Sequence, residues 1–100
     1  MAKWADYVIT HVSYDDEKSR ILCVKQRMDN GDQLGDSTIK TRSEVVGKLT
    51  NGSTYVTAYH ENSKWKKGDR VIAYEIDGTY FIRTDGNRIK KDNLGELPEF

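Results

Sequence analysis

Cysteine, proline and net charge are all scarce in this chain of 100 residues. It has one cysteine, one proline, and 16 basic side chains that cancel 16 acidic ones. A single cysteine excludes an internal disulfide and a zinc site made of cysteines, and Cys23 lies in an apolar run that predicts a buried small hydrophobe rather than a reactive thiol. Because the charges cancel, attraction to nucleic acid or to an anionic membrane would have to be local.

Long apolar runs are also missing. No segment approaches the roughly 20 residues that a membrane-spanning helix needs, and the first residues lack the apolar stretch of a signal peptide. We therefore expect a cytoplasmic protein that does not bind membranes. The length is that of one domain, residues 1–100, with room for one hydrophobic core.

Catalytic signatures are equally absent. The sequence contains no HExxH, nucleophile elbow, P-loop or dinucleotide-binding fingerprint, and the Asp-rich residues 29–40 lack the spacing of an EF-hand. The two histidines, His11 and His60, are expected at strand edges or on the surface. We therefore predict no catalytic residue, metal or cofactor. A small hydrolase, the weakest alternative, would need one of these histidines in a pocket beside a carboxylate.

Residues 70–85 give the most definite structural prediction. Asp77-Gly78, a dipeptide that tolerates a tight turn, separates two runs rich in Val, Ile, Tyr and Phe. A two-residue loop would place Ile76 opposite Thr79 and Ile72 opposite Arg83. Neither face of this hairpin is cleanly polar, which indicates that it is covered on both sides. We expect the rest of the chain to be built around it.

Alternating polarity predicts three further strands. Residues 7–14 and 20–28 are expected to form an antiparallel hairpin, and residues 53–59, rich in Thr and Tyr, a third strand. Residues 29–40 are predicted to be a loop, either mobile or functional, and residues 60–69 a polar connection.

One short helix is predicted within residues 41–51. Thr41 and Glu44 fit a capping box, and Asn51-Gly52 is typical of a helix end. Its stripe of Val45, Val46 and Leu49 should dock on the sheet. The order ββαβββ predicts an α+β fold, a mainly antiparallel sheet of about five strands with one short helix on one face.

The C-terminal residues are expected to contribute to the core. A tail that moves freely in water would expose the apolar side chains of Leu94, Leu97 and Phe100. We therefore predict that this tail is docked on the sheet. Asp85 and Asp92 lie in turn-like segments, where carboxylates are usually solvated or bonded to their own backbone.

The C-terminal third also carries a distinctive pattern: Trp65, then KGDRV at residues 67–71, YFIRTDGN at 80–87 and DNLGELPEF at 92–100. It resembles a family of short bacterial and phage proteins catalogued as a domain of unknown function (DUF3892-like). Residues 7–10 and the helix ending before Gly52 are also similar, so the resemblance spans nearly the whole chain. It implies a complete, stand-alone protein and no particular chemistry.

Local charge provides the candidate binding site. Residues 64–91 contain eight basic side chains against four acidic ones, and Trp65 lies within the first basic cluster. Cations beside aromatic rings on a sheet are suited to phosphates and stacked bases. The candidate ligand-binding residues are Lys64, Trp65, Lys66, Lys67, Arg83 and Arg88.

Two functions therefore remain open, and the sequence favours the first. The first is a small non-catalytic binding or regulatory module for a protein partner, which would use residues 29–40 or a sheet edge. The second is nucleic-acid or nucleotide binding through the basic and aromatic surface, with an affinity that falls as salt rises. The basic cluster also has a purely structural explanation, in which its lysines keep a strand connection soluble and Trp65 fills the core.

Overall fold

The computed structural model describes residues 4–17, 20–31, 34–84, 92, 94 and 97–100. Within these residues one helix and seven strands follow the order βββαββββ. They are β1 (Tyr7–Tyr14), β2 (Ile21–Met28), β3 (Thr38–Thr41), α1 (Arg42–Thr50), β4 (Tyr55–Glu61), β5 (Lys64–Arg70), β6 (Ile72–Ile76) and β7 (Thr79–Arg83). No helix in the described ranges is long and apolar enough to cross a membrane.

Five strands form the main sheet, in the order β3-β2-β1-β4-β5. Its pairs are antiparallel except that β1 runs parallel to β4, with Tyr7 opposite Tyr55 and Ile9 opposite Thr57. A parallel pair needs a crossover connection, which here consists of β2, β3 and α1. The predicted fold class, α+β with a mostly antiparallel five-stranded sheet and one short helix, is confirmed.

Two segments that the sequence assigned to loops are strands. Part of residues 29–40 forms β3, whose Thr41 lies opposite Cys23 of β2. Most of residues 60–69 belong to β5, which returns antiparallel to β4 after a turn at Asn62 and Ser63 with φ values of 52° and 63°. Both strands are edges and consist largely of polar residues, so their composition resembles that of a loop.

The helix begins as predicted. The Thr41 hydroxyl accepts from the backbone N–H of Glu44, and the Glu44 carboxylate accepts from the N–H of Thr41, which together form a capping box. Val45 is fully buried, while Val46 and Leu49 are half-buried against the same core. The predicted docking of this stripe is confirmed.

The hairpin around Asp77-Gly78 has the predicted register, with Ile76 opposite Thr79 and Ile72 opposite Arg83. It forms a separate two-stranded sheet and packs against α1. The expectation that the chain is built around this hairpin is therefore wrong, because β1 is the middle strand of the main sheet. Ile82 reaches the main core and is fully buried, whereas Tyr80 is exposed. The expectation that the hairpin is covered on both sides holds only for part of its length.

The main sheet separates two apolar clusters. The larger lies on the side of α1 and contains Ile9, Val12, Ile21, Val24, Val45, Tyr55, Val71, Ile82 and Leu94. The smaller consists of Ala5, Val8, Val56 and Ala58, with Trp4, Leu34 and Trp65 packed on it. Since Val8 and Val56 alternate with Tyr7, Ile9 and Tyr55 along their strands, the smaller cluster lies on the opposite face. We call this side the distal face.

The C-terminal residues extend the main sheet beside β1. The N–H of Val12 donates to the Pro98 carbonyl at 3.0 Å, and the N–H of Phe100 donates to the Val12 carbonyl at 3.2 Å. Leu94 is buried and Leu97 packs on the larger cluster, which confirms the predicted docking of these two side chains. Phe100 differs from the prediction, because the residue is 42% exposed.

Two expectations for polar or reactive side chains are corrected. Asp92 is 1% exposed rather than solvated. Its carboxylate accepts from the N–H groups of Ile21 and Ile82 at 2.9 and 2.8 Å and from Arg42 Nε at 2.7 Å. Asp85 lies outside the described residues. Cys23 is half-buried rather than in the core, because the adjacent irregularity in the β1–β2 pairing places it opposite Ser13.

Candidate functional site

Strand β2 directs two cations to the distal face. Val24 and Gln26 are buried on the helix side, where the Gln26 side chain accepts a hydrogen bond of 2.7 Å from the Tyr55 hydroxyl. Because side chains alternate along a strand, Lys25 and Arg27 point to the other side. Lys25 lies opposite His11, and Arg27 lies opposite Val8 of the distal cluster. The buried neighbours therefore fix which way these two cations face.

Strand β5 supplies the aromatic side chain. Trp65 lies opposite His60 of β4, and their rings meet edge to face with centroids 4.9 Å apart. Lys67 lies opposite Ala58, a member of the distal cluster. Directly opposed residues share a face of the sheet, so Trp65 and Lys67 lie on the distal face while Lys66, opposite Tyr59, lies on the helix side.

A bulge at Gly68 sets the position of these residues. A Cβ added at Gly68 would lie 2.3 Å from Thr57 Oγ1, so no other residue fits without displacement. The Thr57 hydroxyl accepts from the N–H of Asp69 at 2.9 Å, which fixes the backbone beyond the glycine. The pairing register shifts at this point, between Val56 and Ala58. A bulge in an edge strand re-aims side chains and disfavours pairing with another strand.

Arg27 and Trp65 meet across the distal face. The guanidinium carbon of Arg27 lies 5.3 Å from the Trp65 ring centroid, within the range of a cation–π contact. Arg27 Nη1 donates to the Gly35 carbonyl at 2.8 Å, and Nε is buried without a hydrogen-bond partner among the described residues. The guanidinium is therefore held between the Trp65 ring and the Gly35 carbonyl.

Lys25 forms a second pair of the same kind. Its Nζ lies 4.9 Å from the centroid of the Phe100 ring. Lys25 and Arg27 are two residues apart on one strand, and their Cα atoms are therefore separated by roughly 6.5–7 Å. The distal face thus carries two neighbouring pairs of a cation and an aromatic ring.

Electrostatics at His11 reflect this positive charge. Burial lowers the pKa of His11 below its ordinary value, and the nearby charges of Lys25 and Arg27 lower it further. His11 Nδ1 lies 2.9 Å from the Thr10 hydroxyl. The neutral imidazole is therefore favoured beside two cations.

The residues predicted as a ligand site do not all share one surface. Lys64, Lys66 and Lys67 are exposed on β5, and Trp65 is half-buried. Arg83 is 4% exposed in β7, and Arg88 lies outside the described residues. Sequence reasoning missed Lys25 and Arg27 as partners of Trp65. The signal was their alternation with Val24 and Gln26, a pattern that predicts cations on the uncovered face of a strand.

A cavity at the C-terminal end of α1 is lined by Leu49, Thr50, Gly52, Ser53, Thr54, Arg70, Val71, Ile72 and Ala73. Neither histidine nor any carboxylate is among these residues. The described side chains also contain no group of three His, Cys, Asp or Glu residues that could hold a metal ion.

A family model described as "Protein of unknown function (DUF3892)" matches residues 8–98. The chain belongs to this family. The match confirms the resemblance noted in the sequence, although the family description states no activity or ligand. Comparison with curated proteins and with solved structures gives no match.

Proposed function

We propose that this member of the family is a non-catalytic binding module that holds single-stranded nucleic acid on its distal face. The observation that carries the proposal is the contact between the Arg27 guanidinium and the Trp65 ring, 5.3 Å from guanidinium carbon to ring centroid. Arginine planes and aromatic rings are the surfaces on which unpaired bases stack. Their pairing on one sheet face is typical of such binding.

The charges around this contact support a phosphate backbone as the ligand. Lys25 and Lys67 lie on the same face as Arg27, whereas the exposed Lys64 and Lys66 alternate with Trp65 and Lys67 and point to the helix side of β5. Lysine and arginine contacts to phosphate supply most of the affinity for nucleic acid and make it depend on salt. The chain as a whole is neutral, so we expect binding of modest strength and confined to this face.

The proposed site differs in membership from the set predicted from sequence. Arg83 is left out because it is buried, and Arg88 stays a predicted contact. Lys25, Arg27 and Phe100 are added. We retain the expectation of a cytoplasmic protein of bacterial or phage origin, a setting in which nucleic acid is an accessible ligand.

Protein binding is the second candidate, and one observation favours it. Ile39 of the edge strand β3 is 61% exposed, and Leu22 of the neighbouring strand is 54% exposed. An exposed edge with apolar side chains can accept a strand from a partner. This mode depends on backbone hydrogen bonds and apolar contacts, so its affinity should change little with salt.

The experiment is a titration of a fluorescently labelled single-stranded oligonucleotide, followed by anisotropy at low and at physiological salt. We expect saturable binding that weakens as salt rises. Trp65→Leu keeps an apolar side chain on the distal cluster but removes the ring, and it should weaken binding about 5- to 150-fold. Lys67→Gln should weaken binding more mildly and reduce its salt dependence.

Two matched variants control for general effects. Tyr59→Leu removes an exposed aromatic ring of the neighbouring strand on the helix side, and Lys40→Gln removes a lysine that is ion-paired with Glu44. Both should bind as the unchanged protein does. Absence of binding at low salt, or equal losses in the control and test variants, would contradict the proposal.

A further inference from the structure

We propose that the distal face holds two consecutive unpaired nucleotides, one at each cation–aromatic pair, and that Phe100 supplies the second stacking ring. This inference rests on the proposed function and specifies its ligand. The first position is formed by Arg27 and Trp65, and the second by Lys25 and Phe100.

The geometry of β2 sets the spacing of the two positions. Lys25 and Arg27 are alternate residues of one strand on one face, and their Cα atoms are roughly 6.5–7 Å apart. Each cation lies about 5 Å from its own ring, at 4.9 Å for Phe100 and 5.3 Å for Trp65. Repetition of the same chemistry at adjacent positions of a strand matches a ligand with a repeating unit of charge and ring. A single-stranded nucleic acid has this repeat.

Phe100 is well placed to bind a ligand. The residue is 42% exposed, although its backbone is fixed by a hydrogen bond of 3.2 Å to Val12 on the central strand. The contact with Lys25 accounts for one side of the ring and brings a positive charge to it. An exposed ring on a fixed backbone beside a cation has no evident role in packing the core, but it is a suitable platform for a base.

Binding of the ligand would stabilise the docked position of the C-terminal residues. β4 pairs with β1 only as far as Ile9, and the C-terminal residues take over beside Val12. Two backbone hydrogen bonds and the packing of Leu97 hold this segment. A base stacked on Phe100 would bind only the docked tail, and the linkage of binding to docking requires that the ligand stabilise the docked form.

The ligand must be unpaired. In a duplex the bases are stacked on one another and turn only their edges outward, so neither ring could reach a base face. The prediction is therefore binding of a single strand at much higher affinity than of the same sequence in a duplex. Comparison at matched salt separates this effect from the charge of the phosphates.

The test compares the unchanged protein with Trp65→Leu, Phe100→Leu and Phe100→Tyr, using a six-nucleotide single strand and a duplex of the same sequence. Leucine preserves apolar contacts of the tail but removes the ring, whereas tyrosine restores a ring. We expect Phe100→Leu to weaken binding of the single strand about 5- to 150-fold and Phe100→Tyr to bind nearly as the unchanged protein does. Hydrogen exchange at the Phe100 amide should slow when the single strand is added.

The outcomes separate the two proposals. If the unchanged protein binds no oligonucleotide, the proposed function and this inference both fail, and binding of an acidic peptide instead would point to a protein partner. If binding depends on Trp65 but Phe100→Leu binds with unchanged affinity, only the inference is overturned. Equal affinity for the duplex, or a loss that Phe100→Tyr does not restore, also overturns it.

Discussion

Two arginines on opposite sides of the main sheet are held in different ways. Arg42, at the first position of α1, donates from Nε and Nη2 to the buried carboxylate of Asp92 at 2.7 and 3.2 Å, and also to the Tyr80 carbonyl. Arg27, on the distal face, has a ring and a single carbonyl as its described partners. The first arginine binds a buried carboxylate, whereas the second makes one hydrogen bond, to a carbonyl, among the described residues.

The two arginines differ in the partners that surround them. Asp92 joins α1 to β2 and to the hairpin, because its carboxylate also accepts from the backbone of Ile21 and Ile82. A buried charge of this kind is tolerable only when its hydrogen bonds are complete. Arg27 on the distal face makes fewer hydrogen bonds, and its buried Nε has no partner among the described residues. We infer that the helix side, with the larger cluster and the Asp92 hydrogen bonds, contributes more of the stability than the distal face, on which we propose the binding site, and three predictions test this division.

The largest expected effect is loss of stability in Asp92→Ala. Removing one partner of a buried ion pair leaves the other charge uncompensated, and here two backbone N–H groups also lose their acceptor. We expect a loss of about 3–5 kcal/mol in the free energy of unfolding, measured in urea. Asp36→Ala, at an exposed position, should change this free energy by less than about 0.5 kcal/mol. Similar urea midpoints for the two variants would show that the buried Asp92–Arg42 pair does not stabilise the fold.

The capping box should have an intermediate effect. Thr41→Ala removes the hydroxyl that accepts from the Glu44 N–H, and the loss of such a cap costs about 1 kcal/mol. The burial of the Val45 side chain depends on this helix, so the loss should appear as a lower urea midpoint with an unchanged slope. Thr38→Ala, at an exposed position of β3, is the control. A Thr41→Ala variant as stable as the control would show that the cap contributes nothing.

Local signals explain what the sequence could predict. Asp77-Gly78 fixes the register of β6 and β7 by itself, and Thr41 with Glu44 fixes the start of α1, because both features depend on residues within a few positions of one another. Edge strands gave no such signal. β5 contains three lysines and a glycine, and its pairing with β4 depends on a turn at Asn62 and Ser63 that lacks the usual glycine.

Contacts between distant parts of the chain were beyond the reach of sequence patterns. Asp92 contacts Ile21 and Arg42, which lie 71 and 50 residues away, and nothing near Asp92 distinguishes it from a solvated turn residue. The parallel pairing of β1 with β4 has the same character. The same limit applies to the candidate site. Trp65 and the lysines beside it are neighbours in the sequence, whereas Arg27 reaches Trp65 only because the strands are ordered as β2-β1-β4-β5.

The smallest expected effect concerns His11, on the distal side of β1 opposite Lys25. Burial, followed by the charges of Lys25 and Arg27, makes the pKa of His11 lower in the folded protein than in the unfolded chain. Near the ordinary value of 6.5 the unfolded chain therefore binds more protons, and stability must rise with pH there. Above this value the histidine contributes no pH dependence, and below it stability is lost until the folded protein also takes up the proton.

Urea unfolding at pH 7.5 and at pH 5.5 checks this prediction. His11→Gln should lose less stability between the two pH values than the unchanged protein, whereas His60→Gln, at an exposed position beside Trp65, serves as the matched control. A single-stranded oligonucleotide should also reduce the loss, because phosphates near Lys25 and Arg27 offset the charge that disfavours protonation of His11. An identical pH dependence in His11→Gln and in the unchanged protein would mean that His11 does not sense the cations of the distal face.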